Sequence, residues 1–151
     1  MKNILKLGIL LFVMFGSFQG FAQVGQINYR YAENGKLSSL NHIFRFGKST
    51  TYDVDFKEYS DYIDMNFKVS ITLNENGTGR MVMAFEDSEK IVAVIESAYK
   101  KKYSDTNEEY WVFQCIVENS FSKDYIIDFK DGSVDSFWFK ADNNTRTYFV
   151  K

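Results

Sequence analysis

Residues 61–86 read DYIDMNFKVSITLNENGTGRMVMAFE, and this stretch decides the fold class. From Ile63 to Leu73 every second residue is apolar, and the residues between them are polar. Such alternation predicts a long β-strand with one buried face and one face in water. Asn76-Gly77 is typical of a tight hairpin turn, so we expect residues 80–86 to return as the partner strand.

The same alternation recurs on both sides of this hairpin. Apolar residues take alternate positions in short runs, and Asn-Gly or Asp-Gly pairs separate several of these runs. The pattern predicts further short strands joined by turns. These strands are residues 27–31 and 37–46 around Asn34-Gly35, residues 52–57, residues 110–118, residues 123–130 and 133–140 around Asp131-Gly132, and residues 146–151 after the loop 141–145.

One segment, residues 87–103, has two interpretations. Its apolar residues Ile91, Val94, Ile95, Ala98 and Tyr99 recur at the spacing of one helical face. However, the run from Ile91 to Ile95 is rich in β-branched residues, which favour strands. We therefore predict a strand here and keep a helix over residues 88–102 as the alternative.

Together these elements predict an all-β fold. The strands form an antiparallel meander of about nine or ten, closed as a small barrel or folded as a sandwich. If residues 88–102 were a helix, the fold class would be α+β instead.

The first 22 residues have the order of a secretory signal peptide. Lys2 and Lys6 form the positive region, residues 7–15 form a short apolar run, and Gly20-Phe21-Ala22 places small residues before a cut at Gln23. The Phe-Ala-Gln end of this leader is similar to leaders of Gram-negative Bacteroidota. We expect export to the periplasm or the cell exterior, with residues 23–151 as a single all-β domain.

Composition excludes several function classes. Cys115 and His42 are the only residues of their types, so neither an internal disulfide nor an ordinary zinc site is expected. We expect no metal and no cofactor, and Cys115 as a small buried hydrophobe. Loss of Lys2 and Lys6 would take the net charge from −2 to −4, which argues against nucleic acid. No apolar run after the leader is long enough to span a membrane.

The C-terminal strands allow a prediction of register. A two-residue turn at Asp131-Gly132 and a five-residue loop at 141–145 set which residues face each other. The predicted pairs are Asp128 with Asp135, Ile126 with Phe137, Tyr125 with Trp138, Trp138 with Tyr148, and Phe137 with Phe149.

The opposed acids of this register have two interpretations. Asp128 and Asp135 can form a paired-carboxylate site for acid–base chemistry or a cation. Alternatively, they are a solvated charge group at the rim, which Lys151 offsets.

The same register predicts two apolar faces. Tyr125, Trp138 and Tyr148 form a ladder that either packs as core or lines a cavity for an apolar or planar ligand. The opposite face carries Ile126, Phe137 and Phe149, and it requires either a covering element or a contact partner.

We therefore expect an exported, non-enzymatic protein that binds an apolar ligand through Tyr125, Trp138 and Tyr148. In strand count and aromatic richness the chain resembles calycin-type barrels such as lipocalins and fatty-acid-binding proteins. It lacks the Gly-x-Trp motif of lipocalins, so no site residue is carried over. One alternative is a protein-interaction module of the cell envelope, as an inhibitor or an assembly component. The other is a hydrolase that uses Asp128 and Asp135.

Overall fold

The computed structural model describes residues 22–24, 27–86, 88, 90–117 and 122–151. All regular elements in these ranges are strands. They are β1 (Ala22–Val24), β2 (Ile27–Tyr31), β3 (Leu37–Ser38), β4 (Asn41–Asp53), β5 (Glu58–Tyr59), β6 (Ile63–Leu73), β7 (Gly79–Phe85), β8 (Ile91–Lys102), β9 (Glu109–Val117), β10 (Ser122–Lys130), β11 (Ser133–Lys140) and β12 (Thr145–Val150).

Eight of these strands form a closed antiparallel barrel. From β6 to β12 each strand pairs with the next along the chain, and β4 pairs with both β6 and β12. The β12–β4 pairing closes the barrel, so the all-β prediction is confirmed and the barrel is the correct alternative. The short strand β5 pairs with the end of β4, and β6 pairs with the preceding part of the same strand.

The barrel has two distinct ends. At the upper end lie the β6–β7, β8–β9 and β10–β11 turns. At the lower end β7, β9 and β11 finish, and β8, β10 and β12 begin.

A small three-stranded sheet, β1–β2–β3, packs over the upper end. Leu37 and Leu40 are completely buried there, and the Tyr29 ring meets the Trp111 ring edge-on at 4.6 Å. The backbone N–H of Lys100 donates to the carbonyl of Gly35 at 2.6 Å, which ties the turn after β2 to the end of β8. The N-terminal sheet is thus a lid of the barrel at this end.

One carboxylate holds the lid in place. Glu109 Oε1 accepts hydrogen bonds from Trp111 Nε1 at 2.9 Å and from the Tyr29 hydroxyl at 3.3 Å. Its other oxygen lies 3.1 Å from Lys100 Nζ. Because partners on β2, β8 and β9 share this group, the upper end is closed by polar contacts as well as by packing.

Aromatic rings fill the middle of the barrel. The Phe67 ring lies 4.0 Å from Phe149 and 5.7 Å from Phe137 between ring centroids, and Phe137 stacks on Tyr125 at 5.7 Å. These residues lie at inward positions of β6, β10, β11 and β12, where alternation turns every second side chain to the interior. These rings therefore belong to one continuous hydrophobic core, which fills the interior between the strands.

Residues 91–102 form β8, so the strand prediction is correct and the helical alternative is wrong. A bulge at Glu96 explains the misleading spacing, because Ile95 pairs with Cys115 and Ser97 pairs with the very next residue, Gln114. The extra residue turns both Ile95 and Ala98 inward, three positions apart, and both are fully buried. A bulged strand thus imitates the period of a helix.

Two turns differ in how closely they follow the sequence pattern. Asp131 and Gly132 both have positive φ, at 50° and 73°, as a two-residue hairpin turn requires. At Asn76-Gly77 only Gly77 does, at 78°, and the loop spans residues 74–78. There the side chain of Asn76 instead accepts a hydrogen bond from the backbone N–H of Thr78 at 3.0 Å.

Two predicted strands have other bounds. The strand predicted over residues 37–46 is divided into β3 and β4 by Ser39, whose φ of 52° breaks the extended backbone. The strand predicted from Tyr52 onwards is the end of β4, which finishes at Asp53 before a turn. In that turn Asp53 Oδ1 accepts hydrogen bonds from the N–H groups of Asp55 and Phe56.

The predicted β10–β11 register is wrong by one residue. Lys130 pairs with Ser133 and Phe129 with Val134, but Asp128 then pairs with Ser136, because Asp135 is an extra residue in a bulge. A shift of one residue exchanges the two faces of a strand. The predicted β11–β12 register is confirmed, with Trp138 opposite Tyr148 and Phe137 opposite Phe149.

Residues 1–21, nearly all of the predicted signal peptide 1–22, lie outside the described residues, so that assignment stays a prediction. Within the ranges that are described, no helix has the length and hydrophobicity that crossing a membrane requires.

Candidate functional site

A cavity of about 280 Å³ lies in the lower half of the barrel. Phe67 and Met83 form part of its wall, and both are almost completely buried. Phe85, Ile91, Val117 and Phe139 contribute near the strand ends. The wall is therefore almost entirely aromatic and aliphatic.

The cavity arises because the packed rings of the core do not extend to the lower ends of the strands. The rings around Phe137 and Phe149 fill the middle of the interior, whereas toward the lower end the inward positions of β7, β8 and β9 hold Phe85, Ile91 and Val117. These residues lie at strand ends and are only partly buried. The core consequently ends in a concave apolar surface rather than in a layer of packed rings.

Two polar groups interrupt the apolar wall, and both come from β10. Lys123 lies near the start of β10 with its Nζ 4.6 Å from the centroid of the Phe139 ring. Tyr125 follows two positions later on the same inward face. Burial raises the pKa of Tyr125 to about 12, so its hydroxyl is a neutral hydrogen-bond donor at physiological pH.

The three residues predicted to line a cavity do not lie together. Tyr125 pairs with Phe139 and lines the cavity, but Trp138 and Tyr148 are on the outer surface of the barrel. The bulge at Asp135 is the reason, because it moves Trp138 to the face opposite to Tyr125. The predicted second face is also divided: Phe137 and Phe149 are core, and Ile126 pairs with Trp138.

Trp138 and Tyr148 belong to a cluster that we call the outer aromatic surface. The two rings stack at 5.5 Å, and the guanidinium of Arg146 lies 5.4 Å from the Trp138 ring. Tyr59 contacts Tyr148 at 5.9 Å and Tyr52 at 4.7 Å, and it remains 59% exposed. The outer aromatic surface consists of Tyr52, Tyr59, Trp138, Arg146 and Tyr148.

Asp128 borders this surface and is engaged by three donors. Its oxygens accept hydrogen bonds from the Tyr103 hydroxyl at 2.9 Å, Trp138 Nε1 at 2.8 Å and the Ser136 hydroxyl at 3.2 Å. Burial raises the pKa of Asp128, although these three hydrogen bonds oppose that shift. Asp128 faces Ser136 rather than Asp135, so the opposed pair of carboxylates predicted from the sequence is not formed.

Cys115 and His42 are the other side chains with reactive groups, and neither is among the residues that line the cavity. Cys115 is fully buried, as predicted, and its Sγ lies 3.6 Å from the carbonyl oxygen of Phe113. Burial raises the pKa of its thiol to about 12, which suppresses the reactive thiolate. His42 packs edge-on against Phe44 at 4.7 Å. In the described part of the chain, no group of three or more His, Cys, Asp or Glu residues could hold a metal ion.

Sequence reasoning missed Lys123 and Phe139 as neighbours of Tyr125. The signal was present for Lys123, because alternation in β10 places residues 123, 125 and 127 on one face. For Phe139 the signal was hidden, since its face depends on a bulge that the pattern does not reveal.

Comparison of the chain with protein-family models, with curated proteins and with solved structures finds no match. The cavity and the outer aromatic surface must therefore be interpreted from their own chemistry.

Proposed function

We propose that this protein is an exported, non-enzymatic β-barrel that binds one small apolar ligand in its lower cavity. The cavity of about 280 Å³ is the observation that carries the proposal. Ligand sites in proteins are concave and mostly apolar, with a few polar groups that orient the ligand. Lys123 and Tyr125 are such groups here.

The size of the cavity limits the ligand. An apolar cavity of about 150 Å³ accepts benzene, so a space about twice as large suits a ligand of roughly a dozen carbon atoms. Barrels of eight strands are just wide enough to hold one small ligand in place of part of their core. The proposal therefore concerns a single compact or single-chain molecule.

A tryptophan at the cavity wall is expected to block binding. Ile91 lines the cavity but is 42% exposed, so Ile91→Trp can fill the entrance without disrupting the core. We expect its affinity for the neutral fluorescent probe 1-naphthylamine to fall by about tenfold or more, or at least about 1.4 kcal/mol. The measurement is a fluorescence titration of the wild type and the variant.

Val94→Trp is the matched control, because Val94 is on the same strand, 58% exposed, and absent from the cavity wall. Its affinity should stay within about twofold of the wild type, a difference well below 1.4 kcal/mol. Equal binding by the wild type and Ile91→Trp would contradict the cavity as the site, and an absence of binding to the wild type would contradict the function.

The outer aromatic surface supports a second candidate function, protein–protein interaction at the cell envelope. Trp, Tyr and Arg are the residues that dominate the binding energy of protein interfaces. Here the Trp138 ring contacts both Tyr148 and Arg146, and Tyr59 extends the group into solvent. This arrangement replaces the face of Ile126, Phe137 and Phe149 on which the sequence-based hypothesis depended.

Site-specific photo-crosslinking tests this second function. A photoreactive residue at Tyr59 should capture one defined envelope protein in the native cells. The same residue at Ile43, which is 46% exposed and lies toward the upper end of β4, should capture none. Equal crosslinking at both positions, or none at Tyr59, would argue against an interaction through this surface.

A further inference from the structure

We infer that the ligand is a single-chain amphiphile with an anionic head, bound by Lys123 and Tyr125, whose chain occupies the aromatic cavity. This inference rests on the proposed function and adds the chemical class of the ligand. It follows from the two polar groups of the cavity and from the absence of ion-pair or hydrogen-bond partners for them among the described residues.

Lys123 supplies the positive charge at the end of the cavity. Its Nζ is held over the Phe139 ring at 4.6 Å, which is a cation–π contact. Among the residues whose positions are described, the one ion pair within 4.0 Å joins Lys100 to Glu109, so no described carboxylate forms an ion pair with Lys123 within that distance. A partly buried ammonium group beside an apolar cavity attracts an anion, because a nearby opposite charge offsets the cost of its desolvation.

Tyr125 supplies a hydrogen-bond donor on the wall of the same cavity. The residue is only 4% exposed, and its ring is fixed by Phe137 and by Phe139, whose centroid lies 5.4 Å away. No hydrogen bond joins its hydroxyl to another group in the described part of the chain, and the hydroxyl keeps some contact with solvent. This donor is therefore available to a ligand oxygen in the cavity.

The sign of the ligand charge follows from these two groups together. Aromatic walls by themselves also suit a cationic ligand such as a quaternary ammonium ion. Lys123 repels such a cation, whereas an anionic oxygen can accept from both the ammonium group and the Tyr125 hydroxyl. A space of about 280 Å³ holds one chain, which excludes lipids with two long chains.

Three ligands with the same chain and different heads test the inference. Decanoate, decanol and decyltrimethylammonium, each below its micelle concentration, compete with 1-naphthylamine for the wild-type protein. Decanoate is expected to bind about tenfold more tightly than decanol, since a charge-assisted hydrogen bond contributes more than a neutral one. Decyltrimethylammonium is expected to bind most weakly of the three.

Two variants assign the preference to its residues. Lys123→Met should remove the preference for decanoate while decanol binds as before, and Tyr125→Phe should reduce it severalfold. Lys130→Met, at the exposed far end of the same strand, should leave the preference unchanged.

The outcomes separate the ligand class from the function. If 1-naphthylamine binds but decanoate and decanol compete equally, or if the preference survives in Lys123→Met, the anionic head is wrong and the apolar site remains. If 1-naphthylamine does not bind the wild-type protein at all, the proposed function itself is wrong.

Discussion

Phe137→Ala is expected to lower the free energy of unfolding by about 3–5 kcal/mol, because truncation of a buried phenylalanine loses its packing and leaves a cavity. Phe137 is fully buried and contacts rings from four other strands, among them Phe67 at 5.7 Å and Phe46 at 6.1 Å. Small domains have only about 5–15 kcal/mol of stability, so the variant should be close to unfolded. Urea denaturation followed by circular dichroism measures the change.

Phe56→Ala is the matched control, since the same substitution is made at a residue that is 77% exposed. Its effect should stay within about 0.5 kcal/mol. Similar losses in the two variants would contradict the assignment of Phe137 to the core.

Deletion of Val94 is expected to abolish folding, whereas deletion of Glu96 two positions later should leave a folded barrel. The reason is the bulge in β8, where Glu96 is the extra residue. Without Glu96, Ile95 and Ala98 still point inward as in a regular strand. Without Val94, the strand can restore its pairing only by turning Ile95 outward and placing the Glu96 carboxylate in the core.

Two-dimensional NMR spectra of the two deletion variants test this prediction. The Glu96 deletion should give a dispersed spectrum similar to that of the wild type, and the Val94 deletion should give the narrow dispersion of an unfolded chain. If the Val94 deletion folds, or if the Glu96 deletion is unfolded, Glu96 is not the extra residue of the bulge.

Most of the barrel is readable from the alternation of residues. Alternation along β6 predicts its buried face correctly, with Phe67, Val69 and Ile71 all inside. Asp131-Gly132 forms the turn that its residue types favour. These predictions succeed because each depends on neighbours in the chain, where steric preference and burial act on the same few residues.

The bulges could not be read in the same way. Glu96 and Asp135 are ordinary polar residues, and nothing in their local sequence marks them as the extra residue of a strand. A bulge is selected by how two strands fit together in the closed barrel, which is information from distant parts of the chain. One unrecognised bulge was enough to place Tyr125 on the same face as Trp138 in the predicted register.

The candidate site was therefore predicted only in part. Tyr125 lines the lower cavity, whereas Trp138 and Tyr148, the residues predicted to accompany it, do not. Lys123 and Phe139 reach it from the ends of two paired strands, and the cavity exists because the core rings stop before those ends. Such a space is a property of the assembled barrel, whereas residue patterns describe one strand at a time.

The most direct test of the lower cavity as a binding site is an NMR titration of the methionine methyl groups with decanol. Met83 and Met81 point inward from the same strand and both are buried, but only Met83 lines the cavity. We expect a saturable shift of the Met83 methyl signal and a much smaller one for Met81. If both signals stay unmoved up to the solubility limit of decanol, the cavity does not bind apolar ligands and the proposed function is wrong.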